Sequence, residues 1–180
     1  KKIFHSLYKV NCIELKKLNL SELINIKVNK KEIGSDRLAN AISVLNKKKN
    51  FIVVDFGTAT TFDVIKKNNY LGGVIAPGVT LSLDNLIKKA SLIPNIRLHK
   101  SKSIIGKNTK QAVMSGFFWG YTGLINGIIT KIKKKTNLRY KIIFTGGLAH
   151  LFNKDIKDKI TIDKNLTIDG LIKISKYFKL

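Results

Sequence analysis

The chain has 180 residues and a mass of 20.2 kDa, enough for one domain with a hydrophobic core, and a 44% hydrophobic content excludes disorder as its default state. Its formal net charge of +23 comes from 34 basic residues against 11 acidic ones, and every basic residue except Arg37, Arg97 and Arg139 is a lysine. A reader of nucleic-acid grooves uses the bidentate arginine fork and interleaves aromatics with its bases, whereas lysine runs such as Lys47–Lys49 and Lys133–Lys135 read as solvated helix ends, so nucleic acid is excluded as the expected partner.

The first segment, Lys1–Lys30, holds short apolar clusters (Ile3-Phe4, Val10–Ile13, Ile24–Val28) separated by polar breaks. It reads as a domain entered midway. From Ser35, a candidate N-cap, the apolar stripe Leu38, Ala39, Ile42 and Leu45 predicts a helix near Asp36–Asn46. The apolar run Phe51–Val54, the turn Asp55-Phe56-Gly57 and the Thr-, Val- and Ile-rich Thr58–Ile65 predict strand, tight turn and strand. After a polar turn at Lys66–Tyr70, Leu71–Ala76 returns as a third strand that ends at Pro77-Gly78, completing an antiparallel meander. Val79–Ala90 then reads as a helix and Thr109–Lys134 as one long helix or two abutting ones. Gly116, Gly120, Gly123 and Gly127 share one face of that stretch, and each costs a helix up to about 1 kcal/mol relative to alanine, which predicts close approach to a sheet or another helix. Lys141–Phe144 reads as a strand, Thr145-Gly146-Gly147 as a turn, Leu148–Asn153 as the start of a helix and Asp169–Phe178 as a last amphipathic helix. The order βββαα then βαβα is that of a mixed α/β domain.

Cys12 has no partner at metal-ligand spacing and reads as a small strand residue. His5, His99 and His150 are dispersed and read as structural or surface residues. The longest candidate membrane segment, Gly116–Ile129, is interrupted by Gly120, Thr122, Gly123, Asn126 and Gly127, and nothing resembles a secretory signal, so a cytoplasmic protein without a membrane partner is expected.

With acids so scarce, each one is informative. Asp55 follows an apolar strand and precedes Gly57-Thr58, which puts its carboxylate at a strand end, where sites are built in α/β folds. Phosphoryl transfer requires backbone donors and hydroxyls around the phosphates, a cation held by a carboxylate, and a positioned base. The run Asp55–Asp63 offers a cation ligand in Asp55, close phosphate approach at Gly57 and hydroxyls at Thr58, Thr60 and Thr61; the bland alternative is an Asp-Gly turn before a Thr-rich strand.

Four segments in order resemble the type III pantothenate kinase family: Gly34-Ser35-Asp36-Arg37 followed by Leu38-Ala39-Asn40-Ala41; Asp55–Asp63; Gly72–Gly78; and Ile105-Gly106-Lys107-Asn108-Thr109 with Ala112 and Gly116. Thr145-Gly146-Gly147 and Asp169-Gly170-Leu171 also fit, so the resemblance runs from about residue 30 to the C-terminus. It implies a ribonuclease H-like fold of the actin-like ATPase and acetate and sugar kinase superfamily, with a mixed sheet and flanking helices. It also implies ATP-dependent phosphorylation of pantothenate, the first step of coenzyme A synthesis. Carried over by motif, Asp36 is the general base, Gly34, Ser35 and Arg37 complete the pantothenate-binding turn, and Thr109 hydrogen-bonds pantothenate. Asp55 is the ligand of a monovalent cation, K+ or NH4+, and Thr58 contacts the phosphates of ATP, which brings Mg2+ with it. Thr145–Gly147 resembles an adenosine-side turn. A homodimer is implied, with Phe117-Phe118-Trp119 and the Gly72–Gly78 loop as its contact.

The family opens with a loop of the form Asp-x-Gly-Asn-Thr around the ATP phosphates, and no such sequence occurs in these residues. Residues 1–34 are therefore expected to be the remainder of a truncated N-terminal lobe and 35–180 a C-terminal ribonuclease H-like kinase lobe, and the 180 residues alone are expected not to phosphorylate pantothenate. The alternative reading from another class is a non-catalytic accessory or regulatory relative of the same fold.

Overall fold

The structure, a computed structural model, describes residues 6–9 and 12–180. Ile3-Phe4, His5 and Val10 lie outside the described residues. Six strands form one sheet in the order β1-β4-β3-β2-β5-β6: β1 is Asn25–Ile26, β2 Asn50–Phe56, β3 Ala59–Lys66, β4 Asn69–Pro77, β5 Lys141–Gly146 and β6 Ile160–Ile162. The meander β2-β3-β4 is antiparallel, while β1 joins β4, β5 joins β2 and β6 joins β5 in parallel. The sheet is mixed because hairpin turns link the central strands and helical crossovers link the others.

The period of two along the strands divides the core. Phe51, Val53 and Ile65 face one layer, with α1 (Ser35–Ser43) and α5 (Leu166–Phe178) above them and Leu15, Leu20, Ile24 and Ile33 from the preceding segment packed alongside. Ile52, Val54, Phe56, Phe62, Ile142 and Phe144 face the other layer, against α3 (Thr109–Thr136) and the short α4 (Ala149–Phe152). Helix α2 (Val79–Lys89) follows β4 and buries Val79 and Leu83.

Helix α3 is a single helix of 28 residues that ends on Asn137 in the left-handed region, with Lys133, Lys134 and Lys135 in its last turn as the dipole favours. Its length and composition alone suit a membrane span, so the polar and glycine interruptions of Gly116–Ile129 do not by themselves exclude one. It nevertheless lays Phe118, Ile125 and Ile129 into the core against the sheet. Its glycines differ from expectation: nothing within the described residues would come within 4 Å of a Cβ at Gly116, Gly120, Gly123 or Gly127. The close approach they predict is therefore not made among the described residues.

Other boundaries shift for local reasons. Gly34, not Ser35, is the N-cap of α1, and Asn108, whose side chain accepts from Gln111 N–H at 2.9 Å, caps α3. Lys47–Lys49 falls in the turn beyond α1, where Asn46 Oδ1 accepts from the N–H groups of Lys48 and Lys49. The third strand expected at Leu71–Ala76 runs Asn69–Pro77 and so includes most of the segment named as the Gly72–Gly78 loop, and Cys12 is exposed and outside any strand.

Candidate active site

Sheet register sets the site. Val53 pairs with Asp63 and Asp55 with Thr61 across β2-β3, while Asp55 also pairs with Thr145 on β5. With Val53 facing the α1 layer, parity sends Asp55, Asp63, Thr61 and Thr145 to that same face, under α1. The N-terminal turns of α1 then lie over the ends of β2 and β3.

Asp36 is exposed in the first turn of α1, where the positive helix end favours a carboxylate. Its Oδ1 accepts from the Arg37 backbone N–H at 2.9 Å and folds so close to Gly34 that a Cβ there would meet it at 2.3 Å. The glycine thus makes room for the candidate base, and Ser35 stands exposed between them.

Arg37 turns down onto the sheet. Its Nε and Nη2 donate to Asp63 Oδ1 at 2.8 and 2.6 Å, and the same oxygen accepts from Tyr70 OH at 2.6 Å. Asp63 is completely buried, and burial pushes its carboxyl upward while Arg37 and Tyr70 oppose the shift. The guanidinium does not deprotonate, so this is an ion pair, and it leaves Arg37 raised despite its own burial. Burial and then the Asp63 charge push the Tyr70 phenol far above its ordinary value.

Asp55 lies one helical turn further along, beneath Asn40. Asn40 Nδ2 donates to Asp55 Oδ2 at 2.9 Å, and Thr167 Oγ1 of α5 donates to Asn40 Oδ1 at 2.6 Å. Burial is the main cause that raises the Asp55 pKa, the hydrogen bond from Asn40 lowers it, and the charge of Asp36 raises it further. The other oxygen, Oδ1, faces the end of β5, where a Cβ on Gly146 would sit 2.7 Å from it and 2.6 Å from Phe56 O; Gly146 also has φ +86°, so only glycine fits that turn without strain.

A hard monovalent cation fits these residues. Among the described residues Asn40 donates to Asp55 Oδ2 and no donor engages Oδ1, the neighbouring Thr61 Oγ1 is buried without a partner, and oxygen donors are what such an ion takes. No group of three or more His, Cys, Asp or Glu among the described residues forms a multi-carboxylate centre.

Thr58 is exposed in the turn between β2 and β3, beside Gly57. That turn is pressed against Gly78, where a Cβ would meet Thr58 O at 2.1 Å. Thr109 is exposed at the first position of α3, beside a cleft of about 570 Å³ lined by Lys100, Lys102, Lys107, Lys110 and neighbouring residues. The structure thus brings Asp36 and Arg37 of α1 together with Asp55 and Thr61 of the sheet face beneath it, and no hydrogen bond or ion pair among the described residues ties Thr109 to them. The sequence reading missed Asn40, Tyr70 and Thr167; the signal for Asn40 was an amide on the same helical face as Asp36, four residues on.

The model of the type III pantothenate kinase family matches residues 1–131. A type III pantothenate kinase of Pelagibacter ubique is 61% identical over 176 residues, 98% of this chain and 71% of that protein. One from a Jannaschia species is 47% identical over 149 residues, 82% of this chain, which spans 58% of that relative's length. Among solved structures, a Campylobacter jejuni protein assigned to the Baf family of transcriptional activators superposes with a TM-score of 0.65 at 25% identity, covering 90% of this chain and 73% of that one. A Sinorhizobium meliloti protein described as a 2-dehydro-3-deoxygalactonokinase gives 0.56 at 11% identity over 79% of this chain and 58% of its own, a likeness of fold that places the mixed sheet among the actin-like ATPase and sugar kinase folds. With matches covering most of its length, and with the family's motif residues on the elements just described, the chain belongs to the type III pantothenate kinase family.

Proposed function

We propose that the protein transfers the γ-phosphoryl group of ATP to the primary hydroxyl of pantothenate, giving 4'-phosphopantothenate, the first step of coenzyme A synthesis. The observation that carries the reading is the α1–sheet junction, where one short helix presents an exposed carboxylate, Asp36, one turn from a half-buried carboxylate, Asp55, at a strand end. Asp36 accepts the hydroxyl proton as the substrate oxygen bonds to phosphorus and the bridging bond to ADP breaks. Gly34, Ser35, Arg37 and Thr109 orient pantothenate, and Thr58 meets the phosphates. Arg37, anchored by Asp63, brings fixed positive charge to the same turn. When bound at Asp55, K+ or NH4+ supplies charge that offsets the phosphates; Mg2+ arrives with ATP. The division into an N-terminal segment, 1–34, and a kinase lobe, 35–180, belongs to the same reading.

We also infer a cytoplasmic homodimer. Val74 and Ile75 are 36% and 64% exposed along the part of β4 beyond its pairing with β1, and the four open glycines of α3 lie on the helix that carries Phe117-Phe118-Trp119. A second copy against this surface accounts for glycines that nothing among the described residues explains. Nucleic acid and membrane are not partners in this reading, and the accessory, non-catalytic alternative is not favoured by the family match.

The test is ADP release by the full-length gene product, with pantothenate added last. Release that starts with pantothenate and requires K+ or NH4+ supports the reading; ATP hydrolysis indifferent to pantothenate would remove it, and an equal rate when all K+ is replaced by Na+ would remove the cation assignment.

A further inference from the structure

Asn40 is one of the few polar residues that the fold buries completely. A buried amide needs partners for both ends, and here the partners come from different elements: Asp55 Oδ2 on β2 accepts from Nδ2 at 2.9 Å, and Thr167 Oγ1 on α5 donates to Oδ1 at 2.6 Å. The direction of the chain is forced. An ionised carboxylate only accepts, so the amide must turn its nitrogen to Asp55 and its oxygen to Thr167, and the hydroxyl is then obliged to donate.

Helix α5 is held at the distance this requires. A Cβ on Gly170 would lie 2.0 Å from Ala39 O, so the two helices touch backbone to backbone where the relay crosses between them. Asn40 occupies Oδ2 of Asp55 and leaves Oδ1 beside the Gly146 turn, with Thr61 Oγ1 across the strand pair. A carboxylate free to rotate would turn either oxygen toward the Gly146 turn; this one turns Oδ1 there.

We propose that Asn40 and Thr167 are positioning residues for phosphoryl transfer: through the chain Thr167–Asn40–Asp55 the closing helix α5 fixes which carboxylate oxygen faces the cation. This rests on the reading of Asp55 as the cation ligand. Groups that orient a metal ligand from behind are worth about tenfold or more in metal affinity. A packing role for α5 would instead change stability and leave cation affinity alone.

The experiment uses the full-length protein with ATP present and titrates KCl against choline chloride at constant ionic strength. It reads both the K+-dependent rise in Tm and the K+ concentration for half-maximal rate. T167V keeps the shape of the side chain and removes the donor; it is expected to raise both half-saturation values about tenfold. T167S, which retains the hydroxyl, is expected to return them toward wild type, and T167V added to D55N is expected to change neither further. T167V titrating like wild type, or T167S failing as T167V does, overturns the relay, as does a T167V effect that adds in full to D55N. If D55N itself responds to K+ like wild type, the cation reading of Asp55 falls and the relay with it, which is a different result from T167V alone behaving as wild type.

Discussion

At Asp55 two demands on one carboxylate oppose each other: burial favours the protonated form, and holding a cation requires the ionised one. A folded-state pKa above the unfolded value means that the native state binds the proton more tightly, so this group's contribution to stability falls as pH rises from the ordinary carboxylate range through the raised value. D55N is therefore expected to raise Tm at neutral pH and to lose that gain below the ordinary carboxylate range, while cation-dependent activity drops; urea or thermal unfolding across pH checks it, and a D55N protein less stable than wild type at pH 7 would contradict it. Asp63 is raised by burial too, but unlike Asp55 it is opposed by a guanidinium. It is completely buried, but its charge is matched by Arg37, so D63N leaves a guanidinium without its counter-charge and is expected to cost about 3 kcal/mol or more in urea unfolding. A cost below about 1 kcal/mol would mean the pair is not the anchor that holds Arg37.

Among the elements, the glycines separate into two kinds that the sequence could not distinguish. Gly170 meets Ala39 O of α1, so G170A forces α5 outward and is expected to destabilise by about 1–3 kcal/mol, with higher cation demand if α5 positions Asp55. Gly120 meets nothing among the described residues, so G120A is expected to stabilise the dissociated subunit by up to about 1 kcal/mol while weakening self-association, read by sedimentation equilibrium and thermal unfolding of dilute protein. Equal self-association in G120A and wild type would remove the glycine face from the dimer contact. Periodicity made α1, the β2-β3-β4 meander, α3 and β5 legible, because each carries an apolar pattern long enough to read. It did not place β6, whose three residues Ile160–Ile162 carry too short a signal, or β1, whose two residues are strand only through pairing with β4. Nor did it give the α3 cap, since Asn108 and Thr109 are both good N-cap residues and only the Asn108–Gln111 bond decides between them.

At the scale of the molecule, the charge of +23 is the feature that pointed furthest from the site, whereas the chemistry rests on a few of the 11 acidic residues. Asp36 and Asp55 were legible because their motifs are compact in sequence; Asn40, Tyr70 and Thr167 were not, because their roles depend on contacts between α1, the sheet and α5. Lysine self-repulsion opposes the compact state, so Tm is expected to rise between about 10 and 300 mM salt, a range over which the Debye length shrinks from about 30 Å to below about 10 Å. With only 11 acids to pair with 34 bases, ion pairs such as Lys100–Asp155 and Lys133–Asp158 cannot neutralise the lysines, so a salt-independent Tm would show that their repulsion does not limit stability. The proposed chemistry stands on Asp36 taking the proton from the acceptor hydroxyl, and the decisive measurement is pantothenate-dependent ADP release by wild-type and D36N full-length protein, with ATP binding followed alongside. The rate is expected to be about 10²–10⁴-fold lower in D36N with ATP binding retained, because asparagine keeps the shape and cannot accept the proton. Turnover by D36N within a few-fold of wild type would remove Asp36 from the role of base.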